Sequence, residues 1–227
     1  DYVLLGEGDE SVLEMVEAVR SKETPAFPGV VYQKNGKLVH TGERMPPEQF
    51  ETIPDKDLVY RYRKMAGHNT LWGQVHASRG CPHNCDYCAL VRHFGRRVRT
   101  RTPENVLEDI RRTIAFQEEG HHRLLKAVWI TDDNFFADRK WAMEVLQKII
   151  DSGIRYHFTV QARWEVGLDD EMLVLLKKAG FVELAMGIEF IDDASFALYH
   201  KKSSKQKIVE SIRNIQRHGL SVRGLFI

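Results

Sequence analysis

The residues with the most reactive chemistry are three cysteines, the only ones in the 227-residue chain. They fall in the run Cys81-Pro-His-Asn-Cys85-Asp-Tyr-Cys88. An odd number of thiols in one short loop, with no partners elsewhere, is no disulfide framework and points to metal. Their spacing lets a tight loop present three thiolates to one face of a small inorganic core. A four-iron cluster normally takes four cysteine ligands. Three would leave one iron open, and an open metal position is where substrate chemistry happens. The rival is a structural zinc site with His83, His76 or His93 as fourth ligand. It would stabilise a module that recognises nucleic acid or protein through Arg92, Arg96, Arg97, Arg99, Arg101, Arg111 and Arg112. Zinc modules usually draw ligand pairs from two separate turns, whereas here one loop supplies all the thiols. The arginine run also reads as a solvated face.

The elements around this loop alternate regularly from residue 70 onward. Leu71–Ala77 is predicted as a strand leading into Arg79-Gly80 and the cysteines. Pro103 and Glu104 open a helix with Val106, Leu107, Ile110 and Ile114 on one face. The apolar run 127–130 is predicted as a buried strand ending at Thr131-Asp-Asp-Asn134. Further strands are expected over 156–160, 182–190 and from 220, with helices marked by Trp141, Val145, Leu146 and Ile149, by Met172, Leu173, Leu175 and Leu176, and by Ile208, Ile212 and Ile215. Strands alternating with helices of this length imply parallel pairing through right-handed crossovers. Periodicity leaves open whether the series curls into a barrel or lies as an open sheet. Either way, ligands gather at the carboxyl ends of the strands, where the cysteine loop and Asp132-Asp133 both fall.

Ahead of this core, residues 2–5 form a short β-rich run, followed by a turn at Gly6 and Gly8 and a helix with Val12, Leu13, Val16 and Val19 at helical spacing. The glycines read as a plain turn, because the third glycine of a dinucleotide loop is missing. Residues 21–69 read as a linker holding five of the seven prolines, with a small hairpin about Asn35-Gly36. His121-His122 reads as an exposed loop. Both ends of the chain read as interior segments, so a fragment of a longer protein is expected. With 43% hydrophobic residues and a formal net charge of +1, composition gives no global footprint for nucleic acid or an anionic membrane. No apolar run approaches the roughly 18 residues that span a bilayer. A soluble cytoplasmic protein is expected, without a membrane or nucleic-acid partner.

Ser78-Arg-Gly-Cys81-Pro-His-Asn-Cys85-Asp-Tyr-Cys88 resembles the signature of the radical S-adenosylmethionine (SAM) superfamily, including the aromatic Tyr87 before the last cysteine. The resemblance implies an α/β fold: a partial (βα)6 barrel over 70–227, truncated in strand 5, preceded by the tail of a Rossmann-like domain (1–20) and a linker (21–69). It implies that Cys81, Cys85 and Cys88 hold a 4Fe-4S cluster whose open iron is chelated by SAM. One electron then gives methionine and a 5′-deoxyadenosyl radical that abstracts hydrogen from substrate. By the same resemblance Asp132 and Asp133 fall where the family accepts hydrogen bonds from SAM's amino group, although glycines are usual there and Asp133 or Asn134 also reads as a cap. Gln161 and Arg163 would point into the site, Arg163 toward SAM's carboxylate. Glu189 would contact the ribose, and Val222 to Leu225 would border the adenine, mostly through backbone contacts. The stretch from Tyr2 to Ser11 looks like the end of a cobalamin-binding domain, which implies cobalamin as a further cofactor and methyl transfer to carbon, or a related rearrangement or cyclisation. A small-molecule or peptide substrate and an electron donor such as flavodoxin or ferredoxin follow from the same reading.

Overall fold

The structure, a computed structural model, describes residues 1–56, 58, 73–119 and 126–227. At the amino terminus, β1 (Tyr2–Leu4) leads through Gly6 into helix α1 (Gly8–Ser21). β2 (Val30–Lys34) and β3 (Lys37–His40) form the hairpin expected at Asn35-Gly36. Both turn residues have positive φ, 51° and 74°, the geometry that matches hairpin twist. β1 pairs antiparallel with β2, so residues 2–4 are tied to the start of the segment that the sequence reads as a linker. Arg44 continues the tie by bridging Glu10 and Glu14 of α1.

The core then runs β4 (Gly73–Val75), β5 (Ser78–Arg79), α2 (Leu90–Phe94), β6 (Arg99–Thr100), α3 (Pro103–Glu119), β7 (Ala127–Ile130), α4 (Arg139–Asp151), β8 (His157–Ala162), α5 (Asp170–Lys178), β9 (Phe181–Glu189), α6 (Asp193–Leu198), α7 (Lys205–Arg217) and β10 (Ser221–Phe226). Short 3-10 turns follow β7 and β8. The main helices and strands lie where periodicity puts them. The two-residue pair β5–β6, α2 and α6 are too short to show a period. Leu71, Trp72 and His121-His122 lie outside the described residues.

Five strands form one parallel sheet in the order β4-β7-β8-β9-β10. Sequence neighbours are sheet neighbours throughout, so each crossover steps the same way. With right-handed crossovers, that puts every connecting helix on one face. An open doubly wound sheet reverses direction part way. The strand order therefore answers what periodicity left open, in favour of the barrel-type winding.

On the helix side, Val128, Ile130, Phe158, Val160, Leu184 and Met186 are fully buried against Leu146, Ile149, Leu173, Leu176 and Ile215. Each such side chain contributes roughly 1.5–3 kcal/mol of transfer free energy. The alternate residues Trp129, Thr159, Gln161, Glu183 and Ala185 line the opposite face, which the connecting helices leave open. There Arg223 of β10 pairs with Glu183 of β9. Asp138, Asp169 and Ser204 cap α4, α5 and α7 by accepting from backbone N–H groups, fixing where each crossover helix begins.

Helix α3 lies unusually close to β4, and Gly73 makes room for it. A Cβ at Gly73 would sit 2.3 Å from Cγ2 of Thr113. Gly73→Ala is expected to lower stability by about 1–3 kcal/mol. Thr113→Ser, which deletes that methyl, should recover part of the loss when combined with it; chemical denaturation of the four variants of the cycle measures this.

Candidate functional site

The cysteine loop is closed at its base. β5 and β6 pair antiparallel as a neck, Ser78 opposite Thr100 and Arg79 opposite Arg99, with residues 80–98 between them. Gly80 has φ +86°, and a Cβ there would lie 2.2 Å from the carbonyl oxygen of Arg97. Only glycine permits so close an approach in this conformation. Just beyond, Cys81 N donates to Gly95 O at 3.3 Å.

Asp132, at the end of β7, is fully buried and holds the chain entering this neck. Its carboxylate accepts from Ala77 N at 2.6 Å and from Ser78 Oγ at 2.5 Å. Burial pushes its pKa up to about 7, against those two hydrogen bonds. The expectation that Asp132 meets a cofactor is corrected: both of its oxygens are turned into the protein. Asp133 differs. It is half-buried, burial raises its pKa, and its Oδ2 has no hydrogen-bond partner.

The three thiols are free and half-buried on one loop. Cys88 N donates to Cys85 O at 3.0 Å, turning the chain between them. Cys81 Sγ lies 3.9 Å from Nδ2 of Asn134, and Cys85 Sγ lies 3.8 Å from Nη1 of Arg163. The Tyr87 hydroxyl also bonds Cys85; burial, then the charge of Glu189, raises its pKa and keeps the phenol protonated. Tyr87 packs edge-on against Phe190 (5.8 Å) and Tyr199 (6.4 Å), which stack on each other at 4.8 Å. Asp86 N donates to Tyr199 O at 3.3 Å, and the Asp86 carboxylate meets His200 Nδ1 at 2.7 Å. The far side of the loop thus docks on the segment after β9.

These surroundings fit a cluster held by thiolates. Two sulfurs have N–H neighbours, one of them a guanidinium that offsets negative charge, and a partnerless carboxylate oxygen stands at the next strand end. Among the described residues, no three His, Cys, Asp or Glu side chains, the three cysteines included, are drawn together as a ready-made metal site. Of the candidate zinc histidines, His76 packs against Phe50 and Phe94 at 6.0 and 5.8 Å, and His93 against Phe94 at 4.4 Å.

The strand ends complete the site. Gln161 is half-buried on the open face of β8, in register with Ala185. Arg163, just past β8, also forks onto Glu165, with Nη2 to Oε1 at 3.0 Å. Glu189 ends β9 with φ +62° and pairs with the buried Lys201, whose Nζ also donates to Gly187 O at 2.6 Å. Val222, expected to border the adenine mostly through its backbone, lies further down its strand. It is the second residue of β10, in register with the core residue Leu184, and its side chain packs toward the helices. The end of β10 level with Glu189 is Leu225-Phe226.

Sequence reasoning missed Lys201, Glu165, Tyr199 and His200, which sit in short connections without periodicity. It also read Arg99 and Arg101 with a solvated face. Both are buried, Arg99 against Glu7 and Arg101 against Asp109.

A parallel sheet wound in one direction, with a three-thiol loop at the carboxyl end of its first strand, is a barrel-type α/β fold with its reactive loop where such folds bind ligands. The profile of the radical SAM superfamily matches residues 75–227, and the chain belongs to that superfamily. Over 98% of its length the chain is 30% identical to the hopanoid C-3 methylase of Methylococcus capsulatus, of which it covers 41%. Among solved structures, it superposes with a TM-score of 0.84 on the cobalamin-dependent SAM radical enzyme OxsB, at 16% identity, covering 100% of this chain and 33% of that one. The SAM methyltransferase TsrM of Kitasatospora setae superposes at 0.76 and 17% identity, with 98% and 44% covered. The chain spans less than half the length of the curated relatives it matches.

Gly80→Ala tests the neck directly. The variant is expected to lose most of its iron after anaerobic reconstitution and to unfold at lower denaturant, since a strained φ and a backbone clash together exceed about 2 kcal/mol. Iron per chain and a denaturation curve measure both.

Proposed function

We propose that this chain is the catalytic core of a radical SAM methyltransferase that uses cobalamin as its second cofactor and acts on a small-molecule substrate. The carrying observation is the loop itself: three half-buried thiols at the carboxyl end of the first barrel strand, with Arg163 and Tyr87 both on Cys85. In this reading Cys81, Cys85 and Cys88 hold a 4Fe-4S cluster. When bound, that cluster supplies the electron that cleaves SAM to methionine and a 5′-deoxyadenosyl radical.

The chain's own residues then bind and orient. Asp133, whose buried Oδ2 lacks a hydrogen-bond partner, accepts hydrogen bonds from the ammonium of SAM. Arg163, whose fork is held by Glu165, brings its positive charge beside the carboxylate of SAM. Glu189, one oxygen of which is taken by Lys201, keeps acceptor positions for ribose hydroxyls, and Gln161 faces the same space. A one-electron donor such as flavodoxin or ferredoxin would serve the cluster.

Three observations support the methyl-transfer branch. The segment from Tyr2 to Ser11 resembles the end of a cobalamin-binding domain, and the relatives include two hopanoid methylases. The structural neighbours OxsB and TsrM are described as cobalamin-bound. No described helix is long and apolar enough to cross a membrane.

The full-length protein, reconstituted without air with iron and sulfide, should be brown and form 5′-deoxyadenosine once reduced with SAM. Asp133→Asn should keep its iron and weaken SAM binding about tenfold, the loss of one charge-assisted hydrogen bond, as read by equilibrium binding. Protein that takes up one zinc and no iron would overturn the proposal.

A further inference from the structure

The turn Gly6-Glu7-Gly8-Asp9 lies about seventy residues upstream of the cysteine loop in sequence, yet it touches the neck of that loop. Arg79 and Arg99 stand directly opposite each other across the antiparallel pair β5–β6. Two like charges in that position repel, more so where water is scarce. The side chain of Arg99 is 3% exposed and that of Arg79 13%.

Glu7 lies between them, with its side chain 2% exposed. It accepts from Arg79 Nη1 at 2.6 Å and from both terminal nitrogens of Arg99, one of them at 3.1 Å. Asp9 accepts from Arg79 with both oxygens, at 2.8 and 3.0 Å. The remaining donors of Arg99 reach Pro47 O at 2.9 Å and Phe94 O at 3.1 Å, so the same guanidinium spans the segment after β3 and the end of α2. The guanidinium of Arg79 lies over the Phe50 ring at 4.3 Å.

We propose that Glu7, assisted by Asp9, is a positioning residue for the cysteine loop: its carboxylate is the counter-ion that lets Arg79 and Arg99 close the neck from which the three thiols project. The turn that reads as a plain connection in sequence thereby belongs to the site. Through α1 and the Arg44 bridges, the amino-terminal unit is coupled to the orientation of the thiols. This rests on the proposed function only in calling the loop cluster-bearing.

The test is hydrogen–deuterium exchange in the full-length protein, with its cluster and after metal removal, on wild type, Glu7→Gln and Asp9→Asn. Removing one partner of a buried pair leaves uncompensated charge. Glu7→Gln is therefore expected to speed exchange of residues 80–98 at least about tenfold in both forms, while residues 157–189 exchange as in wild type. Iron loss to a chelator should accelerate in parallel. Asp9→Asn, at a more exposed carboxylate, should give a smaller change confined to the same residues, and it decides the matter if Glu7→Gln does not fold. Unchanged exchange in 80–98, or an equal rise in 157–189, overturns the proposal. Exchange in metal-free protein does not depend on iron, so failure of the cluster reading would appear separately, as protein that takes up no iron.

Discussion

A loop that carries three thiols must hold them close together, although like-charged thiolates repel and a loop of nineteen residues (80–98) has many other shapes open to it. Everything else in the site answers that constraint. The neck β5–β6 joins the two ends of the loop, Gly80 allows the strand to pass against Arg97, and Asp132 anchors the strand entering it. On the far side, Tyr87 locks into the Phe190–Tyr199 stack and Asp86 meets His200. The loop is thus held at both its base and its tip, and the thiols lie between.

Each of those holds comes from a different element of the sheet, which is why the winding matters. Because the strand order steps in one direction, the carboxyl ends of β4, β7, β8 and β9 stand side by side. They deliver in turn the cysteine loop, Asp132 to Asn134, Arg163 and Glu189. In a doubly wound sheet the ligand crevice opens only at the switch point between strands. The polar face carrying Thr159, Gln161, Glu183 and Arg223 is what remains for ligands, since the helices occupy the other.

Much of this was legible from the sequence. Strong apolar periods marked the crossover helices and strands, and three cysteines at fixed spacing marked the loop. What was not legible depends on pairing between distant residues. Asp132 and Asp133 are adjacent and chemically identical, yet one is fully buried beneath Ala77 and Ser78 while the other keeps an oxygen without a partner. Both follow the end of β7, where no strand period tells which of them turns inward. The register of Val222 against Leu184 turns its side chain into the core, which the strand's own sequence does not show. Arg99 and Arg101 looked like surface charge because their acidic partners, Glu7 and Asp109, lie on other elements. Lys201 sits in a Lys-Lys-Ser-Ser run that gives no sign of burial, and its Nζ reaches the carboxylate of Glu189.

The central claim is that three thiolates leave one iron vacant for the amino and carboxylate groups of SAM. Electron paramagnetic resonance of the reduced full-length protein, recorded before and after adding SAM, tests it most directly. A signal from a reduced 4Fe-4S cluster whose g-values shift when SAM is added is the result this account requires. A cluster signal that SAM leaves unchanged would mean that no iron is open to it, and would contradict the account.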